Sequence, residues 1–363
     1  MLSPPIQGCL AGAGIVSIIR LGFPDPHDRP TLLQLILTAT SSPCTSPMDL
    51  ILTDMQRVDQ VIGERLDSEA PLVPEVARYI IFAGGKRLRP GLLLLVCGAL
   101  GSLHPQRHTL AAVIEFIHTA TLLHDDVVDE STLRRGRTTA NQRFGNATSV
   151  LVGDFLHSRA FQMMVDINDM RIMQVLSDAT NVIAEGEVLQ LMNTHDASLS
   201  EAAYLRVIRS KTAKLFEAST RLAAILAQAS PQVEALCADY GQALGTAFQV
   251  IDDILDYEGS AQELGKNLGD DLREGKVTLP VICALKTASP AQQALIRHAI
   301  EHGEAAHWDQ ILAIIQETGA LDVARASARV EAQRAIDAAR QLPQNPYSAA
   351  LLQLAVELVN RRS

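Results

Sequence analysis

Aromatic side chains make up only 4% of this 363-residue chain, which contains a single tryptophan. Its interior must therefore be filled by Ala, Leu, Ile and Val, the mixture with which closely packed helices are built. Alternating, strand-like runs are also missing, and so is any internal repeat of solenoid length. These absences favour an all-α fold, although the length alone is compatible with one large domain or with two.

Long runs of Lys and Arg are absent as well, and the formal net charge is −10. A protein that binds nucleic acid through its phosphates needs a basic face, so we expect no nucleic-acid partner. The longest strongly apolar stretch near the start, residues 8–19, is too short to cross a bilayer. The five cysteines lack the paired spacing of a zinc site or a disulfide framework. We therefore expect a soluble protein in the reducing cytoplasm.

The composition changes near Met48. Residues 1–47 are rich in Pro, Ser, Thr and Gly, whereas apolar residues recur every three or four positions from Met48 onward. We interpret residues 1–47 as a disordered leader or as the result of a mis-assigned start codon. Short Pro- and Gly-rich breaks then separate helical segments up to Ser363. The expected architecture is one large helical bundle that spans residues 48–363.

Two groups of aspartates share the spacing DDxxD, each in a segment with a helical period. Their members are Asp125, Asp126, Asp129, Asp252, Asp253 and Asp256. In the first group, Asp125 and Asp129 lie one helical turn apart on the same face, while Asp126 lies about 100° round the helix. Like charges at this spacing repel, and buried carboxylates are costly unless a cation offsets them. Mg²⁺ prefers such oxygen ligands, so the pattern predicts two metal-binding clusters.

Basic residues accompany these clusters in short motifs. Guanidinium groups match phosphate oxygens with paired donors, and a glycine-started turn before a helix suits an anionic group. His118 lies seven residues before Asp125, two turns back on the same helical face. Each side chain alone is more often a surface charge or a core histidine, but next to two metal clusters we interpret the set as phosphate contacts. The basic residues are Lys86, Arg87, Arg89, Arg134, Arg135, Lys211, Lys266 and Lys276.

With these motifs, the chain resembles the trans (E-type) isoprenyl diphosphate synthases over nearly all of its length from Met48 onward. The resemblance rests on five motifs in the family's order: GGKRLRP (84–90), DDVVDESTLRRG (125–136), GDFL (153–156), KTAKLF (211–216) and GTAFQVIDDILD (245–256). It implies a helical bundle of the isoprenoid synthase type with a central substrate tunnel. It also implies a homodimeric enzyme that adds isopentenyl diphosphate to an allylic diphosphate such as farnesyl diphosphate.

The segments IEFIHTATLLHDDVVDE (114–130) and NVIAEGEVLQLMN (181–193) look most like those of bacterial octaprenyl diphosphate synthases. The product of those enzymes supplies quinone side chains such as that of ubiquinone, which implies delivery to a membrane. Nonaprenyl and decaprenyl diphosphate remain alternative products.

The resemblance further implies a role for each motif residue. Asp125 and Asp129 would bind Mg²⁺ on the allylic diphosphate. Asp252, with Asp253 and Asp256, would hold a further Mg²⁺ from the opposite side, with three ions expected in all. The allylic substrate would be contacted by Arg134, Lys211, Thr212, Gln249 and Lys266. The isopentenyl diphosphate would be held by Lys86, Arg89, His118 and Arg135, with Arg87 in the same basic turn. Catalysis is expected to depend on the six aspartates of the two motifs together with Arg134 and Lys211.

Product length is expected to depend on the helix of the first motif. Thr121 and Ala120, four and five residues before Asp125, would lie just below the metal site, and small side chains there leave a tunnel open. Each added isoprene unit needs a depth of about one helical turn, ~5.4 Å, so the tunnel floor must lie several turns deeper. Candidates for the floor are Phe116, Phe161, Met163 and Met164.

Three other functions are compatible with parts of the pattern. A terpene cyclase would share the aspartates but would leave the second set of basic motifs without a diphosphate to bind. A non-catalytic subunit of a heteromeric synthase should lack aspartates from one motif, and both motifs are intact here. A purely structural bundle would leave two buried acidic clusters unexplained. The sequence therefore favours the synthase.

Overall fold

The computed structural model of this chain describes residues 46–258, 268–303 and 306–360, and within these ranges the fold is helical apart from one short hairpin. The all-α prediction is thereby confirmed. None of the described helices is both long and apolar enough to cross a membrane. The helices are α1 (Leu52–Arg65), α2 (Leu72–Ile81), α3 (Leu88–Ala99), α4 (Arg107–Val128), α5 (Ala140–Phe144), α6 (Asn146–Ile167), α7 (Met170–Asn193), α8 (Glu201–Ile208), α9 (Lys214–Leu226), α10 (Pro231–Glu258), α11 (Asp270–Arg273), α12 (Leu279–Thr287), α13 (Pro290–His302), α14 (Trp308–Glu317), α15 (Ala320–Ala339) and α16 (Pro346–Val359).

The apolar core consists of two clusters of buried residues, and α10 contributes to both of them. Its part up to Ala247 belongs to the first cluster, and its part from Val250 onward belongs to the second. Helix α4 packs on α6, while α10 packs on α9 and α15. A helix that is surrounded by others in this way must be apolar on several faces. In α4, every residue from Leu110 to Ile117 is buried, and Glu115 is the single charged residue among them. Both aspartate motifs therefore lie in the last turns of long, largely buried helices.

The two short strands form a hairpin directly after the first motif. β1 (Leu133–Arg134) pairs antiparallel with β2 (Arg137–Thr138), and Arg134 lies opposite Arg137. The two residues between them, Arg135 and Gly136, have φ angles of 51° and 71°. Positive φ at both central positions is typical of a type I′ turn, in which glycine is favoured at the second position. The RRG motif is thus a tight turn that presents neighbouring arginines, a feature that the expected all-helical pattern does not include.

The described fold begins two residues before the boundary predicted at Met48. A 3₁₀ helix spans Pro47–Ile51, and its N-cap is Ser46, whose backbone N–H donates to Asp49 Oδ2 at 2.9 Å. Pro47 is itself buried. Residues 1–45 lie outside the described part of the chain, so their interpretation as a leader stays a prediction.

We expect a chain that starts at residue 48 to be less stable than one that starts at residue 46. The shorter chain loses the Ser46 cap and the buried Pro47, a change that should lower the free energy of unfolding by about 1 kcal/mol. Urea unfolding followed by circular dichroism measures the difference. Ser46→Ala in the longer chain should reproduce most of the loss, and equal stability of the two chains would contradict the assigned cap.

Candidate active site

A cavity of about 170 Å³ opens where the ends of α4 and α7 meet α8, α10 and the segment after α11. Its wall contains carboxylates, two lysines and several amide and hydroxyl groups, together with apolar side chains. The lining residues are Asp125, Asp129, Gln190, Asn193, Thr194, Leu199, Tyr204, Val207, Ile208, Lys211, Thr212, Gln249, Asp253, Asp271, Lys276, Val277 and Thr278.

The first aspartate motif divides between the cavity and the protein interior, as helical geometry predicts. Asp125 and Asp129 line the cavity, whereas Asp126 is fully buried beside it. Arg134 donates to Asp126 Oδ1 from Nε at 2.8 Å and from Nη2 at 2.7 Å. Asn141 Nδ2 donates to the backbone carbonyl of Asp126 at 2.9 Å. Burial raises the pKa of Asp126 although Arg134 acts against this shift. Asp126 therefore anchors the hairpin arginine rather than facing the cavity.

Two lysines neutralise the two aspartates of the first motif that face the cavity. Lys276 Nζ lies 2.7 Å from Asp129 Oδ2, and Lys211 Nζ lies 3.7 Å from Asp125 Oδ2. Each lysine also contacts a glutamate: Lys276 Nζ is 2.7 Å from Glu274, and Lys211 Nζ is 2.5 Å from Glu187. Burial lowers the pKa of Lys276, but Asp129 and Glu274 more than compensate and raise it above its usual value.

The second motif contributes Asp253 to the cavity wall. Tyr204 donates its hydroxyl to Asp253 Oδ2 at 2.5 Å, and Gln249 Nε2 donates to Oδ1 at 2.8 Å. Gln249 in turn accepts a hydrogen bond from the Thr212 hydroxyl at 2.8 Å. Burial, followed by repulsion from Asp271, raises the pKa of Asp253 well above its usual value. This series of side-chain hydrogen bonds, from Tyr204 to Thr212, therefore connects α8, α10 and the KTAKLF motif through the buried carboxylate of Asp253.

The other two aspartates of the second motif lie elsewhere on α10. Asp256 is fully buried, and its Oδ2 accepts a hydrogen bond from the backbone N–H of Asp271 at 3.4 Å. Asp252 is half-buried and is not part of the cavity wall described above. Lys266, which was expected to contact the allylic substrate, lies outside the described residues.

A π-helical turn at Arg209–Ala213 holds Lys211 and Thr212 against the cavity. Two glycines permit this turn to approach its neighbours. A Cβ atom on Gly186 of α7 would lie 2.8 Å from the backbone nitrogen of Lys211, and one on Gly245 of α10 would lie 2.7 Å from Cα of Ala213. Cβ atoms are essentially never found at such short distances from non-bonded atoms, so a side chain at either glycine would force its neighbour to move. π-Helical turns often occur at functional sites, and here the turn lets two consecutive motif residues face the same space.

The basic residues expected to hold the isopentenyl diphosphate form a second group, next to Arg134. Arg89 Nη1 donates to His118 Nε2 at 3.2 Å, and its guanidinium lies 4.5 Å from the centre of the Phe216 ring. Burial lowers the pKa of Arg89 to about 10, and burial together with Arg89 lowers the pKa of His118 well below its usual value. His118 is therefore neutral at pH 7 and accepts this hydrogen bond. Arg135 donates to the carbonyl of Gly84.

The remaining two residues of the basic turn differ in exposure. Lys86 is exposed, whereas Arg87 is partly buried, has a left-handed backbone with φ 43°, and forms an ion pair with Asp59. Glu115 lies beneath this turn and is 3.9 Å from Arg87. Burial raises the pKa of Glu115, and Arg87 and Arg89 act against the shift. Glu115 is thus the buried counter-charge of the basic group.

The residues expected to control chain length belong to the apolar core rather than to the cavity wall. Ala120 is 2% exposed, and Met164, on the neighbouring helix α6, is 1% exposed. Phe116 and Met163 are also fully buried, and Phe161 is partly buried against the same cluster. Thr121 is half-buried and donates its hydroxyl to the carbonyl of His118 at 2.8 Å. The tunnel and its floor stay predictions.

Sequence reasoning missed several acidic and hydroxyl groups of the site, among them Glu115, Glu187, Tyr204, Asp271 and Glu274. Glu187 is the most informative of these, because burial and then Asp125 raise its pKa to about 7 even though Lys211 lies beside it. In the segment NVIAEGEVLQ, Glu187 directly follows Gly186. A glycine within a helix often marks close packing, so this position was a possible sequence signal for Glu187. The other four named residues carry no comparable local signal.

The donor set of the cavity fits a hard divalent cation. Four aspartate carboxylates, three from the two motifs and Asp271 from α11, line one small space with amide and hydroxyl oxygens, which suits Mg²⁺ or Ca²⁺. Within the described ranges, no three His, Cys, Asp or Glu side chains already converge as a finished metal site. Lysine ammonium groups contact Asp125 and Asp129 instead. A cation would have to displace these groups from the carboxylates.

Three comparisons identify relatives of this chain. The family model described as polyprenyl synthetase matches residues 70–317. The chain is 52% identical to the octaprenyl diphosphate synthase of Haemophilus influenzae over 309 residues, which cover 85% of this chain and 94% of the relative. It is 47% identical to the all-trans-nonaprenyl-diphosphate synthase (geranyl-diphosphate specific) of Rhodobacter capsulatus, over 84% of this chain and 94% of that protein.

A solved structure gives the same result. The polyprenyl synthase of Caulobacter crescentus, in complex with calcium and isoprenyl diphosphate, has a TM-score of 0.85 and 43% sequence identity to this chain. The match covers 88% of this chain and 100% of that one. The fold and the paired aspartate motifs thus define an all-α protein of the isoprenoid synthase class. Within this class, the chain belongs to the polyprenyl synthetase family and is a prenyltransferase.

We expect Gly245→Ala to displace the π turn. The added methyl group would meet the backbone of Ala213, which cannot move aside as a flexible side chain can. Overpacking of this kind should cost about 1–3 kcal/mol of stability and should lower prenyltransferase turnover. Thermal unfolding and an initial-rate assay measure the two effects.

Gly63→Ala provides the matched control, because Gly63 is also helical and a Cβ atom there meets nothing within 4 Å. This variant should be up to about 1 kcal/mol more stable than the parent protein and equally active. A Gly245→Ala protein with normal stability and turnover would show that the close approach does not set the position of the turn.

Proposed function

We propose that this prenyltransferase is a long-chain synthase that makes octaprenyl diphosphate, by sequential addition of isopentenyl diphosphate to an allylic diphosphate such as farnesyl diphosphate. One observation carries the proposal: Asp125, Asp129 and Asp253 from two motifs face a single cavity together with Lys211 and Lys276. The 52% identity to an octaprenyl diphosphate synthase supports the product length. The relative named as a nonaprenyl synthase, at 47% identity, supports the main alternative, and decaprenyl diphosphate is the next candidate length.

Some of the acidic residues would bind metal ions, and others would position the groups that contact the diphosphate. Asp125, Asp129 and Asp252 would hold three Mg²⁺ ions with the diphosphate, and Asp253 would keep Gln249 and Thr212 directed at it. When bound, magnesium would neutralise charge on the diphosphate. Asp126 would act by holding Arg134, and Asp256 by holding the backbone at Asp271.

The basic residues would bind the two substrates from different sides. The allylic diphosphate would be contacted by Arg134, Lys211, Thr212, Gln249 and Lys266, whereas isopentenyl diphosphate would be held by Lys86, Arg87, Arg89, His118 and Arg135. The neutral state of His118 suits a partner of Arg89, because it can accept a hydrogen bond without adding repulsion.

The chemistry follows from these contacts. Cationic side chains stabilise the negative charge that builds on the departing diphosphate, so the bond between carbon and oxygen can break toward an allylic cation. The double bond of isopentenyl diphosphate attacks this cation and forms the new carbon–carbon bond. The resulting cation would then lose a proton to the released diphosphate, which forms the new double bond. The chain has to position the two substrates and stabilise charge, and it needs no nucleophile of its own.

The cellular setting belongs to the same proposal. We infer a cytoplasmic homodimer whose product passes to a membrane as the side chain of a quinone such as ubiquinone. The three described free cysteines, Cys97, Cys237 and Cys283, are all buried, in keeping with a reducing compartment. Incubation with farnesyl diphosphate, isopentenyl diphosphate and Mg²⁺, followed by mass spectrometry of the products, tests the function. Octaprenyl diphosphate is the expected main product, and failure to extend the primer would refute the proposal.

Loss of a carboxylate from either motif should abolish turnover. Asp125→Ala and Asp252→Ala each remove one proposed metal ligand but little packing, so we expect a fall in kcat of at least about 100-fold with an intact helical fold. Steady-state kinetics and circular dichroism measure the two properties. Near-normal activity in either variant would contradict the proposal that both aspartate motifs supply metal ligands.

Ala120→Tyr should shorten the product. Ala120 lies five residues before Asp125 in the same helix, so a phenol ring there would enter the space that the growing prenyl tail has to cross. Elongation should stop near the fifteen- or twenty-carbon stage, while the first condensation survives because the charged groups are unchanged. The measurement is the product distribution at equal consumption of isopentenyl diphosphate. Ala120→Gly, which adds no volume, is the control, and unchanged long products from Ala120→Tyr would place the tunnel elsewhere.

A further inference from the structure

Lys211 and Lys276, which both line the cavity, have the same arrangement of partners. Each ammonium group is shared between one aspartate of the first motif and one glutamate outside both motifs. For Lys211 these partners are Asp125 at 3.7 Å and Glu187 at 2.5 Å. For Lys276 they are Asp129 and Glu274, both at 2.7 Å. The two glutamates come from different elements, since Glu187 lies in α7 and Glu274 directly follows α11.

These ion pairs are shielded from solvent. The side chains of Lys211 and Lys276 are only 20% and 15% exposed, and those of Glu187 and Glu274 are 31% and 25% exposed. An ammonium group at such a site loses much of its hydration, so a position without a carboxylate partner would be costly. The lysines and glutamates of these ion pairs are therefore partly buried, unlike the fully solvated partners of a surface ion pair.

A divalent cation that binds Asp125 and Asp129 has to take these carboxylates from the lysines. A lysine whose sole partner was the aspartate would then be left without a counter-charge, and the exchange would be unfavourable. With a glutamate already in contact, each ammonium group keeps one carboxylate partner throughout the exchange. It also stays next to the cation and its bound diphosphate, where a positive charge is useful.

We propose that Glu187 and Glu274 are positioning residues that retain Lys211 and Lys276 when a divalent cation takes over Asp125 and Asp129, so that each lysine then faces the diphosphate. This inference rests on the proposed function, because it assumes a site for a divalent cation and a diphosphate. The glutamates act through the lysines and need no contact with the substrate. Their removal should therefore matter only while the lysines are present.

A double-mutant cycle on diphosphate binding tests the first pair. Isothermal titration of inorganic diphosphate in saturating Mg²⁺ compares the parent protein with Glu187→Gln, Lys211→Gln and the double variant. A buffer near pH 8 keeps Glu187 ionised, since its pKa is about 7. Glu187→Gln alone should weaken binding about tenfold, whereas the same change in the Lys211→Gln protein should alter it by less than about twofold. Glu187→Asp, which retains the charge, should recover part of the affinity.

Glu185→Gln is the matched control, because Glu185 lies on the same helix but is exposed and pairs with Asn181. It should leave binding unchanged. A parallel cycle with Glu274→Gln and Lys276→Gln should give the same pattern. A binding loss from Glu187→Gln that persists in the Lys211→Gln protein would mean that the glutamate acts directly on the cation, and this would overturn the inference alone. A parent protein that neither binds diphosphate with Mg²⁺ nor extends a prenyl primer would overturn the proposed function and this inference with it.

Discussion

The site depends on one constraint, which is that its partly buried carboxylates outnumber the cations that the chain itself supplies. Removal of a carboxylate from water costs several kcal/mol unless a cation or hydrogen bonds compensate the loss. Lys211 and Lys276 compensate Asp125 and Asp129 in this way, yet burial and Asp125 still raise the pKa of Glu187 to about 7. The cavity thus holds more acid than its lysines neutralise. Such a site gains from a divalent cation, which compensates the carboxylates that the lysines leave without a counter-charge.

Close backbone packing makes this arrangement of charges possible. The π turn carries Lys211 and Thr212, and glycines at positions 186 and 245 let two helices approach it more closely than any side chain would permit. Gln249 lies one turn beyond Gly245 on the same helix, where it accepts the hydrogen bond of Thr212. The glycine and the glutamine of the GTAFQ motif therefore serve one purpose. Gly245 lets α10 approach the π turn closely, and Gln249 then lies near enough to form the hydrogen bond with Thr212.

Helical periodicity is sufficient to predict the division of the first motif, because a repeat of 3.6 residues determines which side chains share a face before any packing is known. Asp125 and Asp129 line the cavity, and Asp126 is turned away toward Arg134. Contacts between distant segments are not predictable in this way. Lys276 reaches Asp129 across 147 residues of sequence, and it is only an isolated cation until the fold brings the two together. The same reason explains why Tyr204 and Asp271 were missed, since both matter through Asp253, on a helix remote in sequence from Tyr204.

We propose that reaction rate and product length have separate determinants, because charged groups and apolar side chains lie in different places along α4. Charged groups gather at the ends of α4 and α10, whereas the core between α4 and α6 contains apolar side chains such as Phe116 and Met164. Ala120 lies five residues, or ~7.5 Å along the helix axis, from Asp125. A prenyl tail that grows from the cavity must leave the charged region within about one added unit, because hydrocarbon beside unpaired carboxylates or lysines would deprive them of hydration. On the proposed function, only the packing of the core would oppose further growth beyond that point. A change of volume there would alter the length at which elongation stops, while the groups that ionise the substrate would stay in place.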